Sequence, residues 1–442
     1  MKYFTPDRLL LYAAALYFTI FGGMRAWNWS YDFLTVYCGT KCVLNGCNPY
    51  DANALEQQYT LSGGSNPYIH TKDWRYGQPP VYPPSTFVAL IPIGLLGLPA
   101  AQDLWFCLNA ALMLVAVWFV LSSYRGPHPW MANLLAAFFL YNSLVLLVWG
   151  QPACFAISLL IISCTLYRRG QHRILATCLL CLSLAVKPQI GALIALYLLL
   201  DKANRRYVAA AIAGSVAILL IGAATLQHNP QSKTWLADMR SNIADTLLPG
   251  HINDPASPTG WEVNVEPAVT AVSPGATVTK AVTYTILAIL FGLWSMGAAR
   301  VTPELRSNIL LFGTIVAFSM LPIYHRRTDT SLLLLTIPSL LFIFARRRIL
   351  GLVMAALTIL ASSPIQSMIN AWLMTHHPAI RLQILANKLL VLLILRQENI
   401  AMLLLVCLYL VAIFTIRIQD GSASGDNLGY RVALEAQSGM AT

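Results

Sequence analysis

The chain has 442 residues, 57% of them hydrophobic and only 11% charged, and its mean hydropathy of +0.61 lies far above that of soluble globular domains. That composition excludes a soluble enzyme on a single anchor and leaves an integral membrane protein whose main solvent is lipid. A net charge of +11 does not point to nucleic acid, because the Lys and Arg residues cluster at the ends of apolar runs, where they orient spans.

The first element is the apolar stretch from Leu9 to Met24, behind Lys2 and Arg8. It resembles a signal sequence, but no small-residue cleavage site follows, so it reads as an uncleaved first span. The apolar runs predict an all-α polytopic bundle with about twelve spans, at 8–27, 102–123, 131–149, 153–168, 173–186, 188–200, 207–226, 280–299, 307–323, 328–345, 349–363 and 400–416. Both termini then share one side. Several runs are shorter than the ~20 residues of a perpendicular span, so they borrow flanking residues or thin the bilayer.

Orientation follows from the short connections. Arg168, Arg169 and Arg173, then Lys202, Arg205 and Arg206, then Arg300 and Arg306, then Arg346, Arg347 and Arg348 occupy alternate connections, which the positive-inside rule assigns to the cytoplasm. The other set faces outward. It holds the long loops at about 28–85 and 227–279 and the turns at Gly150-Gln151, Lys187-Pro188 and Tyr324 to Asp329. Counting Thr86 to Leu98 as a crossing would invert all four basic clusters, so this run is expected to be re-entrant or interfacial. Residues 1–419 thus read as one membrane domain, and the polar, Gly/Ser-rich 420–442 as a disordered cytoplasmic tail.

Most of the nine cysteines lie in apolar runs, where a thiol behaves as a small hydrophobe. Cys38, Cys42 and Cys47 fall in the first outer loop without the CxxC pairs and His partners of a zinc site. They read either as packing residues or as the source of one disulfide.

In the same loop, Leu34 to Leu44 is long enough for a three-turn helix, with Asp32 at its N-cap and Gly46 near its stop. Asp32 is then either only a cap or a general base toward a hydroxyl acceptor at the membrane surface. No second carboxylate adjoins it to suggest a paired-Asp metal site. Four prolines at positions 79, 80, 83 and 84, around Tyr82, enforce an extended wall that returns the loop to the bilayer. Trp235 and Trp261 in the second outer loop read as interfacial anchors or as platforms for sugar rings.

Lys187, beside Pro188 between two apolar runs, is costly unless it snorkels or meets an anion. The turn Tyr324-His325-Arg326-Arg327-Thr328-Asp329 concentrates cations on the outer side, against the orientation trend. Arg–Asp pairing within the turn is one account. A phosphate site is the better one, since guanidinium groups suit phosphate oxygens.

Taken in order, Asp32-Phe33, Gly46-Cys47-Asn48-Pro49-Tyr50-Asp51, Tyr82-Pro83-Pro84, Gly150-Gln151 and Lys187-Pro188 resemble the glycosyltransferase family 87 membrane proteins, which include polyprenol-phosphate-mannose-dependent α-1,2-mannosyltransferases. The turn at 324–329 is similar to the pattern in a subset of them, and the resemblance runs from about residue 30 to 345. Pro152, after Gly150-Gln151, departs from the small or polar residue usual there, which weakens the role of Gln151. The resemblance implies a GT-C type bundle in a bacterial inner membrane, its site facing the periplasm or exterior. It implies a polyprenyl-phosphate sugar donor, a glycan or glycolipid acceptor, and inversion without a metal ion or other cofactor. On that footing Asp32 is the base, and Lys187, His325, Arg326 and Arg327 hold the donor phosphate. Tyr50, Tyr82, Gln151 and Asp329 are the further candidates for substrate contact. Two rival functions are a flippase or transporter of lipid-linked saccharides, whose ionisable groups belong near the bilayer midplane, and a ligase or polymerase using a diphosphate-linked donor.

Overall fold

In the hydrocarbon of a bilayer every backbone polar group needs an internal partner, and this chain meets that demand with helices. A computed structural model is 83% helical and, among the described residues, contains no strand. The structure describes residues 5–64, 80–124, 126–248, 253–257, 262–273, 275–300, 309–322 and 325–416. The expected tail at 420–442, together with Pro79, Trp261, Arg306 and Tyr324, lies outside them.

In chain order the helices are α1 (Pro6–Trp29), α2 (Tyr31–Asn45), α3 (Ala52–Leu61), α4 (Pro84–Ala89), α5 (Ile91–Gly94), α6 (Leu98–Ser123), α7 (Pro129–Val148), α8 (Pro152–Arg169), α9 (Arg173–Val186) and α10 (Pro188–Leu198). They continue as α11 (Arg205–His228), α12 (Trp235–Thr246), α13 (Glu266–Val272), α14 (Ala276–Ala299) and α15 (Ile309–Ser319). A 3₁₀ helix, Arg327–Thr336, runs directly into α16 (Ile337–Arg346). The last are α17 (Arg348–Ser362), α18 (Ile365–His376), α19 (Pro378–Ala386), α20 (Lys388–Leu390) with a π-helical turn Val391–Leu395, and α21 (Gln397–Thr415).

Among the described residues, eight helices are long and apolar enough to cross a membrane, or up to ten if each of two bent helix pairs is one span. The eight coincide with eight of the twelve expected runs. The runs at 173–186, 188–200 and 307–323 form the shorter apolar helices α9, α10 and α15, and 349–363 becomes the first limb of the pair α17–α18, bent by 51°. The second pair, α19 with the helix that follows, is bent by 106° and has no counterpart among the expected runs. Hydropathy measures apolar content, and a buried half-helix has as much of it as a full crossing.

Burial sorts the spans into layers. The windows in α8 and in the Arg327–Arg346 span are 89% buried, whereas those of α1 and α11 are 17% buried and face outward from the bundle. Around the central pair, α6 and α9 pack on α8, α7 packs on the 3₁₀ segment, and α17 packs on α21. The run from Thr86 to Leu98, expected to be re-entrant or interfacial, forms the ends of α4, the short α5 and the start of α6, and neither short helix is a candidate span. Pro84 opens α4 at its first turn, where a missing N–H costs nothing.

Candidate active site

Helix α2 begins only one residue after α1, across a bend at Ser30 (φ −76°, ψ 48°). That short junction moves the cap: Ser30, not Asp32, is the N-cap, and Asp32 sits in the first helical turn. The expectation that Asp32 caps the helix is therefore corrected. Gly46 ends the helix as expected, in the left-handed region at φ 81°, and a disulfide joins Cys42 to Cys47 across that stop.

A corner between α7 and α8 fixes Asp32 from the side. Its backbone N–H donates to the Trp149 carbonyl at 3.1 Å. Gly150 follows at φ 62°, where a Cβ would lie 2.6 Å from the Phe33 Cβ, so only glycine allows this approach. The Trp105 indole N–H donates to the Gly150 carbonyl at 2.9 Å, and its ring stacks on Phe33. Pro152 then occupies the first turn of α8, which reconciles it with the corner. The buried Gln151 side chain hydrogen-bonds the Asp32 carboxyl and accepts from the Thr328 hydroxyl at 3.4 Å.

The break between α9 and α10 brings in the lysine. Pro188 prevents one continuous helix, and α4 covers the cut end: Ser85 Oγ donates to the Ala185 carbonyl at 2.6 Å and Thr86 Oγ1 to the Val186 carbonyl at 2.8 Å. Lys187, placed between the two helices, is buried and reaches Asp329 Oδ1 at 2.8 Å. The anionic partner expected for a buried lysine is thus a residue of the turn at 325–329.

Asp329 is the hub of that turn. Besides Lys187 it takes the Arg326 backbone N–H at 3.2 Å and faces His325 Nδ1 at 3.4 Å, while its own N–H returns to the Arg326 carbonyl at 2.8 Å. These contacts cap the 3₁₀ helix reciprocally. His325 is fully buried, with Nε2 unpartnered.

Asp32 faces this cluster. Burial pushes its carboxyl above the usual carboxylate range, opposed by the charge of Arg326, the Gln151 hydrogen bond and the charge of Lys187. Asp32 is partly accessible as a residue, yet its Oδ2 is sealed from solvent without a hydrogen-bond partner. Asp32, Gln151, Lys187, His325, Arg326 and Asp329 therefore form one neighbourhood. It can accept a proton at Asp32 and place positive charge opposite it.

Three candidates point elsewhere. Arg327 donates to Ser367 Oγ at 2.6 Å and lies 3.6 Å from Glu398, toward α18 and α21. Tyr50 donates to the Tyr82 carbonyl at 2.7 Å, and its ring packs on Phe87 and Trp235, so Tyr50 and Tyr82 tie together the two ends of the segment between α2 and α4. Trp235 is buried in this packing.

Sequence reasoning missed a layer behind the turn. Glu262 pairs with Arg326 in an isolated antiparallel bridge, and the Val263 N–H donates to the His325 carbonyl at 3.0 Å. Asn399 at the start of α21 donates to the carbonyls of Glu262 at 2.7 Å and Asn264 at 2.8 Å. Arg396 donates to the carbonyls of Pro255 and Ser257, each at 2.8 Å. The one available signal was the polar cluster Arg396-Gln397-Glu398-Asn399 directly before the last apolar run.

Comparison with known proteins bears on this arrangement. No curated protein and no solved structure matches the chain. The family model of glycosyltransferase family 87 matches residues 81–322. That stretch contains Tyr82, Gln151 and Lys187, while Asp32 precedes it and His325 to Asp329 follow it. As the match spans more than half of the chain, this polytopic α-helical membrane protein belongs to glycosyltransferase family 87.

Proposed function

We propose that the chain is a GT-C type, inverting transferase that moves a sugar, mannose being the leading candidate, from a polyprenyl phosphate to an envelope glycan or glycolipid. Its site faces the periplasm of a bacterial inner membrane. The observation that carries this reading is the Asp32 carboxyl, its Oδ2 sealed from solvent, set against Arg326 and Lys187 at the end of a span. A periplasmic site has no supply of cytoplasmic nucleotide sugars, whereas a polyprenyl-linked donor arrives through the bilayer.

In this mechanism Asp32 accepts the proton of the acceptor hydroxyl as its oxygen attacks the anomeric carbon. The bond from that carbon to the phosphate oxygen breaks, and polyprenyl phosphate leaves with the electron pair. Negative charge develops on the leaving group, where Arg326, Lys187 and His325 stabilise it. Lys187 does so while held by Asp329, which fixes its position. Gln151 orients Asp32. Arg327, turned toward Glu398, supports the turn from behind.

The test is transfer by the purified full chain in lipid nanodiscs with two radiolabelled donors, polyprenyl-phosphate mannose and a nucleotide-diphosphate mannose. Transfer to a membrane glycolipid extract from the first donor alone is expected. Use of the nucleotide donor alone would overturn the reading.

A further inference from the structure

Beside the Asp32 neighbourhood, across the Glu262–Arg326 bridge, lies a cavity of about 450 Å³. This is within the ~300–1,000 Å³ usual for small-molecule sites. Gln189, two residues beyond Lys187, and Leu321, four before His325, line it, so it abuts the reacting neighbourhood without containing it. Residues of its lining carry buried polar atoms without a hydrogen-bond partner among the described residues. Asn264 Oδ1 and Thr283 Oγ1 are buried without a hydrogen-bond partner, although their residues are only 5% and 6% exposed. Glu262 is 3% exposed, and among the described residues the side-chain contact to its carboxyl is a long one, 3.4 Å from Asn264 Nδ2. Such groups are expensive to bury unless a ligand or ordered water completes them.

The chemistry of these groups selects the ligand. A carboxylate and an amide oxygen accept hydrogen bonds, and a threonine hydroxyl gives or takes one. The carboxyls of Glu262 and Glu266 against the single ammonium of Lys280 leave the lining without the excess of positive charge that phosphate needs. A neutral polyol suits it. We propose that this cavity is the subsite for the sugar of the acceptor, a hydroxyl-rich glycan headgroup held by Glu262, Asn264 and Thr283. The donor phosphate lies on the far side of the bridge. The assignment rests on the transferase reading above. The exposed Leu247 and Tyr284 at its rim face away from the bundle, which suits entry of a glycolipid from the side.

The test uses a decyl mannoside with a diazirine next to the sugar as probe, on the full chain in nanodiscs. Photolabelling should fall within 243–284, yield to excess methyl mannoside and resist inorganic phosphate. Thr283→Val and Asn264→Leu should each reduce it about tenfold, the scale of one lost buried hydrogen bond, while Thr283→Ser keeps it. In the transfer assay the same losses should appear as a raised acceptor KM, with hydrolysis of the donor unchanged. Labelling elsewhere, competition by phosphate, or indifference to Thr283→Val would overturn the subsite; that variant is isosteric, so misfolding does not shield it. Normal labelling without any transfer would support the subsite and overturn the reaction instead.

Discussion

The Lys187 ammonium lies 2.8 Å from the Asp329 carboxylate, joining a helix break to a turn 142 residues later, with neither side chain more than a tenth exposed. Each group alone would be a buried charge without its closest counterion. Together they lock the α9–α10 break onto the 3₁₀ helix, the two elements that face Asp32 from the cationic side. The pair is therefore a framework as much as a binding device.

Breaking it from one side should be costly. Lys187→Met leaves Asp329 buried and charged, a situation that costs about 3–5 kcal/mol. Lys187→Met combined with Asp329→Asn removes both charges while keeping an acceptor for the Arg326 N–H, and should recover most of that loss. Thermal melting of Lys187→Met, Asp329→Asn and the double variant in detergent checks it; simply additive losses would mean that the two residues do not act as a pair.

Asp32 separates catalysis from structure more cleanly now that Ser30 is the cap. Asp32→Asn should fold and melt like the parent while transfer falls about 10²–10⁴-fold, because an amide has no useful basicity near neutrality. Burial raises the Asp32 carboxyl, so the acid limb of the kcat profile should lie above the usual carboxylate range, with activity rising as pH rises. Asp32→Glu should keep that limb and still lose rate through misplacement. A transfer rate close to the parent's in the Asn variant would end Asp32's candidacy as base.

Much of this site was legible because its motifs are local. Gly150-Gln151 needs only one backbone conformation, and Lys187-Pro188 announces both a helix break and a charge in search of a partner. That Asp329 is this partner was beyond reach, since no sequence spacing encodes a contact across 142 residues. Asp32's cap role was misplaced by two residues because the bend at Ser30 depends on how α1 meets α2. Glu262 and Asn399 escaped because their partners are remote backbone groups: Glu262 pairs with Arg326, and Asn399, although part of the polar cluster before the last apolar run, donates to carbonyls that no sequence spacing locates. Arg327 looked like its neighbour Arg326, but Arg326 is the extended residue before the 3₁₀ helix and Arg327 its first residue, so the two point apart, and the partner Glu398 comes from α21.

Glu262 gives a pH signal in stability. Burial, aided by Glu266, raises its carboxyl from the ordinary 4.5 to about 7. Between these values the folded state holds a proton that the unfolded chain has released, so this group's contribution to stability falls as pH rises from about 4.5 to about 7. Glu262→Gln should flatten the melting profile across that window and leave it unchanged above and below. An unaltered slope would mean that Glu262 is already ionised in the folded protein.

Orientation can be read on one helix. α11 has 24 residues, about 36 Å at the helical rise, enough to cross a ~30 Å hydrocarbon core. Lys202 stands exposed before its N-terminus and Lys233 exposed after its C-terminus, so a crossing by α11 puts the two on opposite sides of the membrane. Asn48 donates to Asp238 at 2.6 Å, which ties the segment beyond Lys233 to the end of α2, and so to the side that carries Asp32. After Cys107 and Cys178, the exposed native thiols, are replaced by Ser, Lys233→Cys should react with a membrane-impermeant maleimide in intact cells. Lys202→Cys should react only once the membrane is opened. The charge of Lys202, Arg205 and Arg206 at one end of α11 is what predicts this sense. The reverse pattern would put Asp32 in the cytoplasm, where nucleotide sugars are at hand, and would remove the reason for a polyprenyl-phosphate donor while leaving the fold and the Lys187–Asp329 pair as they are.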